Sequence, residues 1–211
     1  MFFLESHQFG VFLAAAIVLA ITPGPGVAYV VARTVAGGRR EGMASSLGTA
    51  IGGGAHVLAA ALGLSAILAQ SALVFTVVKY AGACYLIFLG VRTLLRGASV
   101  TLAAPVRAVG TTRAFYEGVA VEVLNVKTAL FFLAFIPQFV DMTQPALGQF
   151  VVLGVICVVL NTTVDLLAVA GAARLMQNRA TQRVRARVLN TASGLTLIGL
   201  GAYVALAKVE R

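Results

Sequence analysis

Polar and apolar positions fall along this chain in long blocks, without the short alternation of a half-buried strand or the one-sided stripe of a surface helix. Charges are sparse and gathered into a few intervals. They leave apolar stretches of about 20 residues or more, the length a helix needs to cross a hydrocarbon layer about 30 Å thick. Six such stretches run approximately 9–32, 43–68, 71–94, 115–138, 147–172 and 189–207. They predict an all-α integral membrane protein of six transmembrane helices, with no separate soluble domain. Residues 1–8 carry no Lys or Arg, and the apolar run that follows outlasts the roughly 7–15-residue core of a secretory signal. The first stretch is therefore expected to be a retained helix.

Composition agrees: 60% of the 211 residues are hydrophobic and 11% are charged, against about half and about a quarter in a soluble domain. A water-soluble surface cannot be built from so few charges, which excludes a soluble enzyme. The net charge of +9 raises the question of nucleic acid, and the placement of the basic residues decides against it. Arg33, Arg39 and Arg40 follow the first stretch; Arg92, Arg96, Arg107 and Arg113 follow the third; Arg174, Arg179, Arg183, Arg185 and Arg187 follow the fifth. These are 12 of the 16 basic residues, and the intervening links 69–71 and 140–146 contain none. The positive-inside rule then makes the Arg-rich loops cytoplasmic and both termini periplasmic. The arginines are expected to serve topology and lipid headgroups, with no role toward a substrate, and interval 177–187 to lie at the headgroups.

The spans divide into halves of three, approximately 1–97 and 113–211, joined by a polar cytoplasmic linker. Leu86-Ile87-Phe88-Leu89-Gly90 in the third span matches Leu197-Ile198-Gly199-Leu200-Gly201 in the sixth. An odd number of spans per half makes the second half enter the membrane from the opposite side, the inverted-repeat plan of many secondary transporters. Gly48, Gly52, Gly53 and Gly54 form a small-residue face on the second span, for close packing inside the chain or, alternatively, in a homodimer.

Candidate chemistry lies within the spans. Thr22-Pro23-Gly24-Pro25 stands mid-span, where two prolines remove two backbone donors and bias their predecessors away from helix, so the first helix should break. Non-helical backbone at that depth is tolerated only where protein or a watery cavity satisfies it. A half-helix starting near Pro25 would offer N–H groups to a carboxylate, and the carbonyls freed before Pro23 would take an ammonium or a water. A kink repaired by neighbouring helices is the alternative.

An intramembrane charge costs at least about 2.5 kcal/mol at the bilayer centre and marks function by default. Asp165 lies beside Asn161, Thr162 and Thr163, and Glu122 lies near Asn125 and Lys127. Glu122 and Lys127 are five apart, off a shared helix face, so each is expected to meet another helix. Asp165, Glu122 and the imidazole of His56 are candidates for proton exchange; a fixed buried pair such as Asp165 with Lys127 is the competing reading. Glu117 and Lys79 are expected to anchor span ends. Cys84 and Cys157 are expected to be small core residues, with an intramembrane thiol relay as the alternative. The chain has no GxSxG, HExxH or Walker sequence, hence no expected catalytic residue, metal or cofactor.

Ile21-Thr22-Pro23-Gly24-Pro25, then Gly38-Arg39-Arg40-Glu41-Gly42 and the Gly48, Gly52, His56 series resemble the first half of LysE/RhtB-type amino-acid exporters. Ala61-Leu62-Gly63-Leu64, the run from Lys79 to Gly90, Asn125-Val126-Lys127, Phe131-Phe132 and Pro137-Gln138-Phe139 extend the resemblance over nearly the whole chain. It implies a bacterial inner-membrane protein that exports amino acids or related zwitterions, driven by the proton gradient. It also implies a substrate site built from Thr22, Pro23, Gly24, Pro25, Asn125 and Lys127. Two positions depart from the pattern: Val126 stands where relatives carry proline, and Gly26 where many carry Asp or Asn. The alternatives are a thiol-redox protein using Cys84 and Cys157, and a passive channel or structural membrane subunit.

Overall fold

The computed structural model describes residues 7–64, 72–96, 107–141 and 144–175, together with helical residues 191, 194–195, 198–199, 201–202 and 205–206. All regular structure among the described residues is helical. Links 69–71, residues 97–106 of the linker and interval 177–187 lie outside them.

Helix α1 (His7–Ile21) is apolar from Phe9 onward and ends where Pro23 can neither donate to the turn before it nor clear that turn's carbonyl. Gly24 is extended (φ −127°, ψ −177°), and α2 (Pro25–Ala59) begins with proline at the position where a missing N–H costs nothing. The expected break of the first span is thus present, spanning three residues.

The Arg-rich loop expected between the first two spans is almost absent. Helix continues through it, interrupted at the single residue Gly38, whose φ of 78° and ψ of −174° suit only glycine. A straight helix of 35 residues would be about 52 Å long; instead Gly38 folds it into an antiparallel hairpin. The contacts prove the reversal: Gly42 packs on Thr34 and Gly26 lies against Thr49, pairs nearly equidistant from Gly38 on either side. A π-helical turn, Ala60–Leu64, continues the second arm.

Helix α3 (Ala72–Arg96) precedes the linker. The fourth predicted span is broken too, into α4 (Thr111–Val123) and α5 (Val126–Ala134), followed by the 3-10 turn Ile136–Phe139. The pair bends by 45°. No proline enforces this break; Asn125 makes it, with its side chain accepting from the Lys127 backbone N–H at 3.1 Å to cap α5. Helix α6 (Ala146–Leu175) completes the described core.

By length and composition, 146–172 and the stretch 25–63, of which the arm after Gly38 is the longer part, can cross a membrane, and the broken pair α4–α5 is a third such unit. Leu47, Ile51, Leu58 and Leu62 are exposed along α2, as are Val152, Val155, Val159 and Leu166 along α6. Inside lie Ser45, Thr49, Glu122, Asn125, Lys127, Thr128 and Asp165, all buried. Large apolar side chains outward with charges inward is an arrangement stable only against hydrocarbon.

Helix α2 packs along α4 and α6, α1 on α6, and α3 on α5. The small-residue face expected on the second span serves this internal packing. A Cβ at Gly48 or Gly52 would strike the backbone of α4, and one at Gly53 would press on Val158 of α6, while Gly54 faces open space. Phe12, Phe131, Phe132, Phe135 and Phe150 are fully buried, with Phe131 and Phe135 stacked at 4.7 Å. Cys157 is a core residue as expected, whereas Cys84 is exposed on α3.

Candidate functional site

The two helix breaks face each other. Proline at position 23 removes the N–H that would have bonded the carbonyl four residues earlier, at Leu19. Lys127 fills that vacancy from across the interface: its Nζ donates to the Leu19 carbonyl at 3.1 Å and to the Thr22 carbonyl at 2.9 Å. The C-terminal end of a helix carries partial negative charge, so an ammonium there is matched both as donor and as charge. Glycine at 24 admits it, since a Cβ at that position would stand 2.9 Å from Nζ. The ammonium foreseen at these carbonyls is therefore the protein's own.

Glu122 sits in the last turn of α4, and the bend after it folds the start of α5 back onto its carboxylate. Asn125 Nδ2 donates to Oε2 at 3.0 Å and Thr128 Oγ1 to Oε1 at 2.7 Å. Asn125 thus works with both ends of its amide, capping α5 with the oxygen and holding Glu122 with the nitrogen. The ring of His56 lies 2.8 Å from the Glu122 carbonyl oxygen through Nε2. A carbonyl only accepts, so Nε2 carries the proton in this arrangement. Asp165, from the middle of α6, accepts from Thr49 Oγ1 at 2.8 Å; it is Thr49, not Lys127, that holds it.

These groups surround one cavity. Gly24, Gly26, Thr49, Glu122, Asn125, Lys127, Thr128, Asn161, Thr162 and Asp165 give it a polar wall, and Val27, Ala50, Gly53, Phe132 and Val158 an apolar one. Its water-accessible space is about 20 Å³, room for roughly one water. A space that small admits an amino acid only if the walls move.

A second polar cluster closes the Arg-rich end. Glu41, 4% exposed, accepts from the backbone N–H groups of Val109 and Gly110 at 2.9 and 2.7 Å, holding the start of α4 to the hairpin. Arg33 lies between Glu41 (3.9 Å) and Glu117 (3.8 Å) and donates to the Arg107 carbonyl at 3.1 Å. Glu117 also accepts from Arg113 Nε at 2.7 Å and from the Tyr29 hydroxyl at 2.9 Å. Arg33 and Glu117, expected at headgroups and at a span end, are instead internal ties between α2 and α4. All ion pairs within 4.0 Å among the described residues belong to this cluster.

Comparison with known proteins gives this architecture a family. The sequence signature described as LysE type translocator matches residues 17–208. The chain belongs to that family. A homoserine/homoserine lactone efflux protein of Salmonella typhimurium is 30% identical over 200 residues, covering 93% of this chain and 95% of its own. A leucine efflux protein of Salmonella choleraesuis is 28% identical over 206 residues, 92% of each chain. An uncharacterized membrane protein of Vibrio cholerae is 29% identical over 205 residues, 97% of this chain and all of its own. No solved structure matches. Membership makes the chain a membrane transport protein rather than an enzyme.

Against this LysE-type background the structure collects the residues named from sequence at one place, in different capacities. Gly24, Asn125, Lys127, Glu122 and Asp165 line the cavity. Thr22 contributes its carbonyl, while its hydroxyl is turned back to Val18 at 2.7 Å. Pro23 and Pro25 shape the break. His56 touches the backbone of Glu122 and stands outside the cavity wall. Neither cysteine lines it. Thr49 and Thr128, the hydroxyls that hold the two carboxylates, escaped the sequence reading. Thr49 meets Asp165 across 116 residues of chain, a separation that leaves no local pattern. Thr128 lies six residues after Glu122 and reaches it only because the helix bends between them.

Proposed function

We propose that this LysE-type translocator exports amino acids or related small zwitterions across the bacterial inner membrane, coupled to the proton gradient. The observation that carries the reading is the small polar cavity between the two helix breaks, which offers a zwitterion both signs of charge. Lys127, Glu122 and Asp165 all line it. Efflux of homoserine and of leucine by relatives of the same length supports amino acids as the substrate class. Thr22, Pro23, Gly24, Pro25, Asn125 and Lys127 form the substrate region in this reading. Lys127 bonds α1 with two of its three donors, so the third is available to a substrate carboxylate. Asp165 is the leading proton carrier: a hydroxyl holds it, and among the described residues no cation lies within 4.0 Å of it.

A plan of six spans in two inverted halves, Arg-rich loops cytoplasmic and both termini periplasmic, fits these features. The first and fourth spans, equivalent in such a plan, are the two that break. The third and sixth meet through the matched segments: a Cβ at Gly90 would come within 2.6 Å of Ile198 Cγ1, and one at Gly201 within 2.6 Å of Ile87 Cγ1. The Arg33, Glu41, Glu117 and Tyr29 cluster then closes the cytoplasmic approach to the cavity and must part when substrate enters.

The test compares cells with and without the gene, fed dipeptides of each amino acid in turn, with intracellular and medium amino acids measured by mass spectrometry. Selective release of one or a few is expected. Indistinguishable release for every amino acid refutes the reading.

A further inference from the structure

We infer that Glu122 and Gly26 are a matched pair that sets specificity: Glu122 is the counter-ion of the substrate's ammonium group, and glycine at 26 is what lets its carboxylate stand there. The inference rests on the reading of the chain as an amino-acid exporter.

Glu122 is 6% exposed, deep inside the helix bundle. A buried charge in such surroundings needs an opposite charge. Among the described residues no cation lies within 4.0 Å of it, because every ion pair sits at the Arg-rich end. The nearest candidate, Lys127, turns its ammonium to the Leu19 and Thr22 carbonyls instead. The carboxylate has about four acceptor sites, of which Asn125 and Thr128 fill two. The remaining capacity opens on the cavity, whose 20 Å³ of water-accessible space suits an ammonium group.

Position 26 explains how the carboxylate reaches this point. A Cβ built on Gly26 would lie 2.6 Å from Glu122 Oε2, and one on Gly52 2.8 Å from Glu122 Cβ. Glu122 therefore lies between two glycines of α2, one on each arm of the hairpin. Its Oε2 occupies the volume that a side chain at 26 would fill. It also lies at the second residue of a helix whose first turn has no side-chain cap, where negative charge is favoured. The charge can thus be supplied from either helix, but not from both. With Glu122 in place, any side chain at 26 would push its carboxylate aside. An Asp at 26 with a shorter neutral residue at 122 would put a carboxylate at the same point. Asp165 is left to carry the proton.

The experiment uses the full-length protein in proteoliposomes, with counterflow of radiolabelled leucine and homoserine and with N-acetyl-leucine as competitor. Removing a charged hydrogen-bonding partner lowers transport by about tenfold or more. That loss is expected for Glu122→Gln, and also for Gly26→Ala, which displaces the carboxylate without removing it. The double variant Gly26→Asp/Glu122→Asn should recover transport to within about threefold of wild type. Its neutral counterpart Gly26→Asn/Glu122→Asn, equal in shape, should not. Wild type should discriminate against N-acetyl-leucine, which lacks the ammonium, and Glu122→Gln should lose that discrimination. Wild-type rates and discrimination in Glu122→Gln would overturn the inference. So would equal transport by the two double variants when both are present in the membrane at wild-type amounts. Wild-type protein that moves neither amino acid would instead overturn the exporter reading, and the inference with it.

Discussion

Replacing Lys127 by Met removes two hydrogen bonds from a charged donor to the carbonyls of Leu19 and Thr22, at 3.1 and 2.9 Å. Each such bond is worth about 1.5–3 kcal/mol, and each buried carbonyl left without a partner costs about 1–3 kcal/mol. The relief of no longer burying an ammonium opposes this loss, so a net destabilisation of about 2 kcal/mol is expected. The structure also identifies a specific repair. The Leu19 carbonyl lacks a helical partner because residue 23 is proline, so Pro23→Ala supplies an N–H at the position from which an α-helix would bond it. In the wild-type background that carbonyl already has Lys127, and the new donor adds little. In the Lys127→Met background it ends an unsatisfied group. The benefit of Pro23→Ala should therefore be larger by about 1 kcal/mol when Lys127 is absent, a coupling that a double-mutant cycle isolates. The assay is thermal or steric-trapping unfolding of the four proteins in detergent, with export measured in parallel. Both variants lacking Lys127 should fail to export, so the repair appears in stability alone. Equal effects of Pro23→Ala in the two backgrounds would refute the assignment of Lys127 as the partner of the broken helix.

Asp165→Asn keeps an oxygen for the Thr49 hydroxyl and should leave membrane levels near wild type. It should abolish accumulation against a gradient while downhill exchange continues, and a pH profile of export identical to wild type would remove Asp165 from the proton path. Gly38→Ala meets no neighbour within 4 Å, so its cost is the backbone conformation itself. About 1–3 kcal/mol should be lost in unfolding measurements, and a stability equal to wild type would mean that the hairpin does not need glycine. Glu41→Gln weakens the hold on the Val109 and Gly110 N–H groups and strips Arg33 of a buried partner. Unfolding should become easier by about 1–3 kcal/mol, and an unchanged midpoint would show the tie to be dispensable.

Much of the architecture was legible because lipid makes hydrophobicity decisive. Long apolar runs forecast helices, and the position of Pro23 and Pro25 forecast the break at residues 22–24, since a proline lacks its donor in any context. The break at Asn125 was marked only by the resemblance, whose members carry proline where this chain has Val126. It depends on a side chain that caps one half-helix while holding a carboxylate of the other, and a lone Asn is equally compatible with a continuous helix. The expected loop at 33–42 failed for a related reason. Clustered arginines mark a membrane surface, yet one glycine at φ 78° reverses a helix without a loop, and the reversal places Arg33 among acidic partners rather than headgroups.

The sequence by itself determined that this chain resides in a membrane, that its first span is interrupted, that it carries carboxylates and a lysine at depth, and that it resembles amino-acid exporters. Those properties follow from composition, from proline's missing donor and from a distinctive order of motifs, each read locally. Tertiary structure alone decided how the buried charges are shared out: Lys127 to the carbonyls of α1, Asp165 to Thr49, and Glu122 to Asn125 and Thr128 beside Gly26. Hydrogen bonding acts over about 3 Å, whereas these partners are separated by up to 116 residues. Only the packing of one broken helix against another brings them within reach.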